Sequence, residues 1–353
     1  MIKTRSNYYI SVPWIHPTDL DIQENYTLKV FVWSGDVASV PGSEEYEIKK
    51  YNATTSNGTE KVNIGRLLND YIEFSTMRSS GTQLLDNAEN SMFYKVEVFY
   101  EDDVAAEITE TGLFIQGYGR GNEGENPQPP TNKVYVSNTE YNVGTETVFT
   151  IPVETDSTAI DYTIVSHPSN NINVSGSTPV DSTDNSTTYI KYINVDVSEA
   201  VNESYIEVSY NSVTITLYIE PEYIYTPYDI YFQNKEGHQQ TLTFFKERTD
   251  SMNVSVESFE SDRGQPSLGN HQSIEFNKNG KTSLKLSTGF IDENINEDIR
   301  QLMLSERVWI YENDLMTPIN VKQRNVSYKN RINDRLVNYS IDFEYSFNEV
   351  NTI

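Results

Sequence analysis

The chain has 353 residues, with 52 acidic against 26 basic side chains and a formal charge of −26. Such a surface repels phosphate backbones and anionic membranes, which excludes the usual electrostatic nucleic-acid binder. There is no cysteine, which removes thiolate catalysis and cysteine metal sites, and no run approaches the roughly 18 apolar residues of a membrane span.

Hydrophobic content is 37%, but 25 Tyr and 14 Phe supply bulk for two or three domains with cores of their own. Tyr, Thr, Val and Ile dominate the periodic runs, and few stretches hold a helical period for more than a few turns. The expectation is a mainly β protein of several β-sandwich or β-meander domains with one or two short helices.

In the first part, residues 1–125, strands are predicted at 8–12, 26–33, 46–51, 92–100 and 113–115, with an Asn57-Gly58 hairpin turn. Residues 65–72 predict a short helix burying Leu67, Leu68 and Ile72. The start, Met1-Ile2-Lys3-Thr4-Arg5, lacks the apolar core of a signal peptide, so synthesis in the cytoplasm is expected. Residues 117–130 then concentrate four Gly and three Pro. A phosphate loop needs a helix after its glycines; prolines follow here, so the stretch reads as a linker.

From 131 to 220 the texture turns to Ser, Thr, Asn and Asp. Short strands are predicted at 133–136, 148–153, 160–165, 188–195, 205–210 and 213–219, the last two joined by Asn211-Ser212. That spacing describes an immunoglobulin-like sandwich.

The third part, 221–353, is predicted to begin with strands at 230–232, 242–246 and 252–256, then 284–286. Residues 291–305 predict a helix burying Ile295, Ile299, Leu302 and Met303, with an Asn294/Glu297 capping box and Arg300 and Arg307 toward its C-terminal end. Strands at 308–311, 319–328 and 336–347 complete a β-meander. In the last, Val337, Tyr339, Ile341, Phe343, Tyr345 and Phe347 alternate with polar residues, one face buried and one wet.

Catalytic, metal and cofactor residues are expected to be none. His16, His167, His238 and His271 stand far apart, without metal-ligand spacing, and read as loop histidines. Glu101-Asp102-Asp103 and Asp292-Glu293 read as solvated turns and helix-dipole partners, although paired carboxylates across a cleft would suit a glycoside hydrolase. Asp181, Asp184 and Asn185 are weak calcium candidates outside any EF-hand register. What remains is surface, and the candidate interface residues are Trp309, Tyr311, Tyr339, Phe343 and Tyr345, since aromatics dominate protein contacts.

Lys278-Asn279-Gly280, residues 284–290 (Leu-Lys-Leu-Ser-Thr-Gly-Phe), 299–310 (Ile-Arg-Gln-Leu-Met-Leu-Ser-Glu-Arg-Val-Trp-Ile), 318–321 and 333–345 carry a resemblance over about the last third. In texture and order they resemble tail structural proteins of crAss-like podoviruses and related phages of Bacteroidetes. The resemblance implies a non-enzymatic virion component of the tail hub or a neighbouring ring, with other tail proteins and copies of itself as partners. An acidic ring lumen would also let DNA pass without adhering. The alternative is a carbohydrate-binding or adhesive protein, whose central sandwich would contact glycan through Tyr135, Tyr141, Tyr162, Tyr189 and Tyr192 on one exposed face.

Overall fold

The computed structural model describes residues 1–35, 37–52, 57–86, 90–101, 103–155, 159–179, 189–222, 224–260, 271, 273–327 and 336–350. The chain is mainly β, with 51% strand and 8% helix, and no helix among the described residues is long and apolar enough to cross a membrane. Packing divides it into two units, Met1–Ile219 with Gln233–Gln240, and Glu220–Phe232 with Thr241–Ile353.

In the first unit a five-stranded sheet runs Ile2–Lys3, Ile108–Ile115, Ser91–Tyr100, Asn25–Trp33, Tyr46–Tyr51. Alternation puts the buried Tyr26, Leu28 and Val30 of one strand opposite Tyr100, Val98 and Val96 of the next. Against them pack Ile10 and Val12 of the strand Tyr9–Pro13, Val62 of Thr59–Asn63, Leu68 of the expected short helix, here only Gly65–Asn69, and Ile72 just beyond its trailing turn, while Leu67 is half-buried. The Gly/Pro stretch is seated, not suspended. Asn126 accepts from the Tyr9 N–H through Oδ1 at 2.7 Å, and the Gly119 N–H donates to Ser6 Oγ at 2.5 Å.

The same unit holds a sandwich. Its five-stranded sheet runs Asn173–Pro179, Ala159–His167, Tyr205–Tyr210, Val213–Ile219, Glu140–Val143, and its three-stranded sheet runs Val148–Thr155, Tyr189–Asp196, Gln83–Asp86. Ile151, Val153, Ile193 and Val195 share one apolar cluster with Ile164, Ile206, Val208 and Leu217. Asn211 and Ser212 have φ of 48° and 66°, the paired left-handed residues of a type I′ hairpin. The strand Gln83–Asp86, from the expected N-terminal part, completes a sheet of the expected central part by pairing with Asn194 to Lys191. Residues 133–136 contribute only the bridge Val134↔Val153 rather than a strand.

The second unit is a seven-stranded sheet in the order Gln239–Phe244, Tyr228–Gln233, Val308–Glu312, Leu315–Val321, Ser340–Tyr345, Ser273–Ser287, Arg248–Glu260. Asn313 and Asp314, at φ of 51° and 60°, turn the hairpin between Val308–Glu312 and Leu315–Val321. Ile230, Phe244, Leu284, Leu286, Ile310, Ile319, Ile341 and Phe343 face the helix Asn296–Leu304, which buries Ile299 and Leu302. Each such side chain contributes about 1.5–3 kcal/mol of burial.

The helix begins later than its period suggests, because Ile291–Asp292 is a strand and Glu293–Ile295 a 3₁₀ turn. The α-helix itself has no side-chain cap, its N-cap being Ile295; Asp292, not Asn294, caps the preceding 3₁₀ turn, accepting from the Asn294 N–H at 3.0 Å. Arg300 falls in the middle of the helix and Arg307 lies beyond the C-cap at Ser305, so neither occupies the last turn. The sequence also places a turn at Asn333-Asp334, between the last two predicted strands, and it lies outside the described residues.

Candidate functional site

The strands Arg248–Glu260 and Ser273–Ser287 form an antiparallel ribbon far longer than the segments 252–256 and 284–286 that the sequence marks. At its root Arg248 is clamped. Its Nη1 donates to Glu312 Oε2 at 2.7 Å, Nε to Asp250 Oδ1 at 2.7 Å and Nη2 to Tyr345 Oη at 3.1 Å, with the guanidinium 4.9 Å from the centre of the Tyr228 ring. Burial works against this charge, but the bonds to Asp250 and Glu312 outweigh it and raise the pKa above its ordinary value. Burial, followed by the hydrogen bond to Glu312, pushes the Tyr345 hydroxyl up to about 12.

Beyond the root the ribbon leaves its core. The face that carries Leu284 and Leu286 continues, strand to strand, into Met252, Val254 and Val256. The leucines are buried, whereas these three are 58%, 53% and 46% exposed. On the opposite face the Phe259 and Phe276 rings meet edge to face, centroids 5.7 Å apart, and both are exposed. Between Ser255 and Glu257 the ladder shifts, with Asn277 at φ 50° on the inner strand, so the bulge lies on Ser273–Ser287 and the outer strand runs on regularly.

The inner strand is partly covered. It pairs with Ser340–Tyr345, and farther out the Glu349 N–H donates to the Gly280 carbonyl at 2.8 Å. The outer strand ends the sheet.

The five aromatic interface candidates separate. Tyr339, Phe343 and Tyr345 are buried in the core of the second unit, where they hold the sheet to the helix and cannot face a partner. Trp309 and Tyr311 are half-buried on Val308–Glu312. On the ribbon, the exposed apolar residues that sequence reasoning missed are Met252, Val254, Val256, Phe259 and Phe276, and the 252/254/256 alternation was their one visible signal.

The glycan candidates are mostly interior. Tyr135, Tyr141, Tyr162 and Tyr192 are buried, and the Tyr189 side chain lies outside the described residues, as do Asp181, Asp184 and Asn185. The expected exposed aromatic face is therefore not formed by these tyrosines.

His16, Asp103 and Glu107 come close enough for three ligand atoms to surround a cation. The ring's hydrogen bonds argue against it. Nδ1 accepts from the backbone N–H groups of Thr18 and Asp19 at 3.2 and 3.0 Å, which places the ring proton on Nε2, and Nε2 donates to Asp103 Oδ2 at 3.3 Å. No lone pair is left for a metal. His16 instead fixes its own loop against the Tyr100 ring, 5.1 Å away.

His238 is fully buried, 3.1 Å from Tyr192 Oη. Burial, helped by the Lys3 charge, holds its pKa down to about 3, so it stays neutral. It sits in a polar interior with Asn234, whose Nδ2 donates to the Tyr135 carbonyl at 2.7 Å, and Lys3, which pairs with Glu236 at 2.7 Å.

A groove of about 360 Å³ opens at the ribbon root in the second unit, lined by Tyr225, Lys246, Lys285, Phe290, Asn338 and Ser340 among others. Lys246 is already neutralised by Glu222, whose carboxyl it holds down to about 2. The groove has polar walls but no nucleophile–base pair. A comparison with known protein families finds none that matches the chain, and no curated protein matches it.

Proposed function

We propose that this chain is a non-enzymatic structural subunit of an oligomeric phage tail assembly, in the hub or an adjoining ring. It is made in the host cytoplasm and works in the virion, with other tail proteins and copies of itself as partners. The observation that carries the reading is the ribbon Arg248–Glu260/Ser273–Ser287, which extends apolar side chains past the core of its own sheet. A two-stranded ribbon wet on both sides is marginal by itself, and contiguous exposed apolar surface marks an interaction site. An assembly subunit acquires the covering from its neighbours.

The resemblance of the last third to phage tail proteins agrees with this, and so does the charge of −26, which suits a subunit beside passing DNA. The test is mass spectrometry of purified phage particles from a host carrying the gene. Peptides of this chain at several copies per particle are expected. Particles that infect normally yet contain none of them overturn the reading.

A further inference from the structure

The chain treats its open sheet edges differently. Tyr46–Tyr51, at the end of the five-stranded sheet, carries Lys49 and Lys50, the residues that commonly block edge-to-edge pairing. In the seven-stranded sheet, Gln239–Phe244 is buried along its whole length. Arg248–Glu260 at the other end has 13 residues without a lysine, a proline or a bulge of its own, and no strand beyond it among the described residues. Its charges, Arg248, Asp250, Glu257 and Glu260, lie toward its two ends and leave residues 251–256 as an uncharged open edge.

Resting on the assembly reading above, we propose that this strand pairs antiparallel with the same strand of a second copy, across a two-fold axis through Val254. Opposed residues of an antiparallel pair share a face, so each residue meets the one equally far beyond the axis. Val254 then meets Val254, Met252 meets Val256, and Arg248 meets Glu260. On the other face Ser251 meets Glu257 and Thr249 meets Phe259. No acid opposes an acid. Sliding the copies by one step toward the tip sets Asp250 against Glu260, and sliding them the other way sets Asp250 against Val256 and leaves Glu260 without Arg248. One register therefore satisfies both the apolar residues and the charges.

Arg248 is already engaged at its root, yet a guanidinium has five N–H donors and three serve the contacts above. The pairing supplies about a dozen backbone hydrogen bonds and makes one fourteen-stranded sheet from two seven-stranded ones. The contact is isologous, so it joins subunits in pairs rather than head to tail.

The absence of cysteine makes the test direct. Opposed Cα atoms in an antiparallel pair lie about 4.5–5.5 Å apart, within disulfide reach. The full-length Val254→Cys variant, mildly oxidised, should run at twice the monomer mass on a non-reducing gel. Ser251→Cys, whose copies would lie about 20 Å apart along the strands, should stay single. Val254 is half-exposed, so neither change disturbs the fold, which circular dichroism checks. In a second experiment Val254→Lys and Val254→Glu should each sediment as monomers and combine one to one when mixed. A single band for Val254→Cys, or equal cross-linking at Ser251→Cys, overturns the pairing. If the wild-type chain still associates or is found in particles, the assembly reading survives that result. Absence from particles would instead remove the assembly reading while leaving the cross-linking result to stand.

Discussion

Gly117 and Gly237 are packed backbone to backbone: a β-carbon on Gly237 would lie 2.6 Å from the Gly117 nitrogen, and one on Gly117 would lie 2.9 Å from the Glu236 carbonyl carbon. Gly237 also has φ of +83°. The Tyr118 N–H donates to the Lys235 carbonyl at 2.8 Å, closing the seat. Gly237→Ala should therefore cost about 2–4 kcal/mol, combining left-handed strain with overpacking. Gly35→Ala, at φ +89° with nothing near its added carbon, should cost about 1 kcal/mol from the backbone alone. Urea unfolding of both variants separates the terms, and equal costs would mean the close contact is unimportant.

Acid should weaken the first unit through His238. Its imidazole is held at about 3 in the fold, mainly by burial, and protonates near 6.5 in the unfolded chain. The folded value is the lower one, so the stability is complete above about pH 6.5 and is lost as pH falls toward 3. At about 1.4 kcal/mol per pH unit, the loss by pH 4 is on the order of 3 kcal/mol. His238→Gln should flatten this part of the stability–pH curve. A variant curve parallel to the wild type between pH 6.5 and 4 would show that some other group is responsible.

Core and surface aromatics of the second unit should behave oppositely. Phe343 is fully buried against Phe244, ring centroids 5.9 Å apart, and Phe343→Ala should cost about 3–5 kcal/mol. Trp309→Ala, on a half-buried side chain, should cost about 1–2 kcal/mol. Thermal unfolding compares them, and a Trp309 loss as large as that of Phe343 would contradict the burial.

Zinc should pass His16 by. Because Nε2 carries the proton given to Asp103, a tenfold excess of Zn²⁺ should change the melting temperature of wild type and His16→Gln alike. A stabilisation present in the wild type and missing in the variant would mean that the ring turns to bind metal.

Strands with one dry and one wet face were legible to the residue: 46–51, 205–210 and 213–219 fall where the alternation puts them. The ribbon was not, because both faces are wet over most of its length and Ser, Asn and Glu break the apolar pattern. Gln83–Asp86 was missed because Leu84 and Leu85 adjoin rather than alternate, and its partner Tyr189–Asp196 lies more than a hundred residues on. Residues 233–240 look like an ordinary polar turn, and only the fold reveals that Asn234, His238, Gln239 and Gln240 are buried together. The candidate surface was legible only in outline, since apolar alternation in the last strand marks a core as readily as an interface.

The division of the first unit, which takes back residues 233–240 after the chain has left it, sets an order of events on the ribosome. When residue 219 emerges, the nascent unit still lacks the segment that supplies Asn234 to Tyr135 and Glu236 to Lys3. Those interior groups wait, hydrated, until about two dozen further residues have been synthesised. Translation must thus begin the second unit before the first can close.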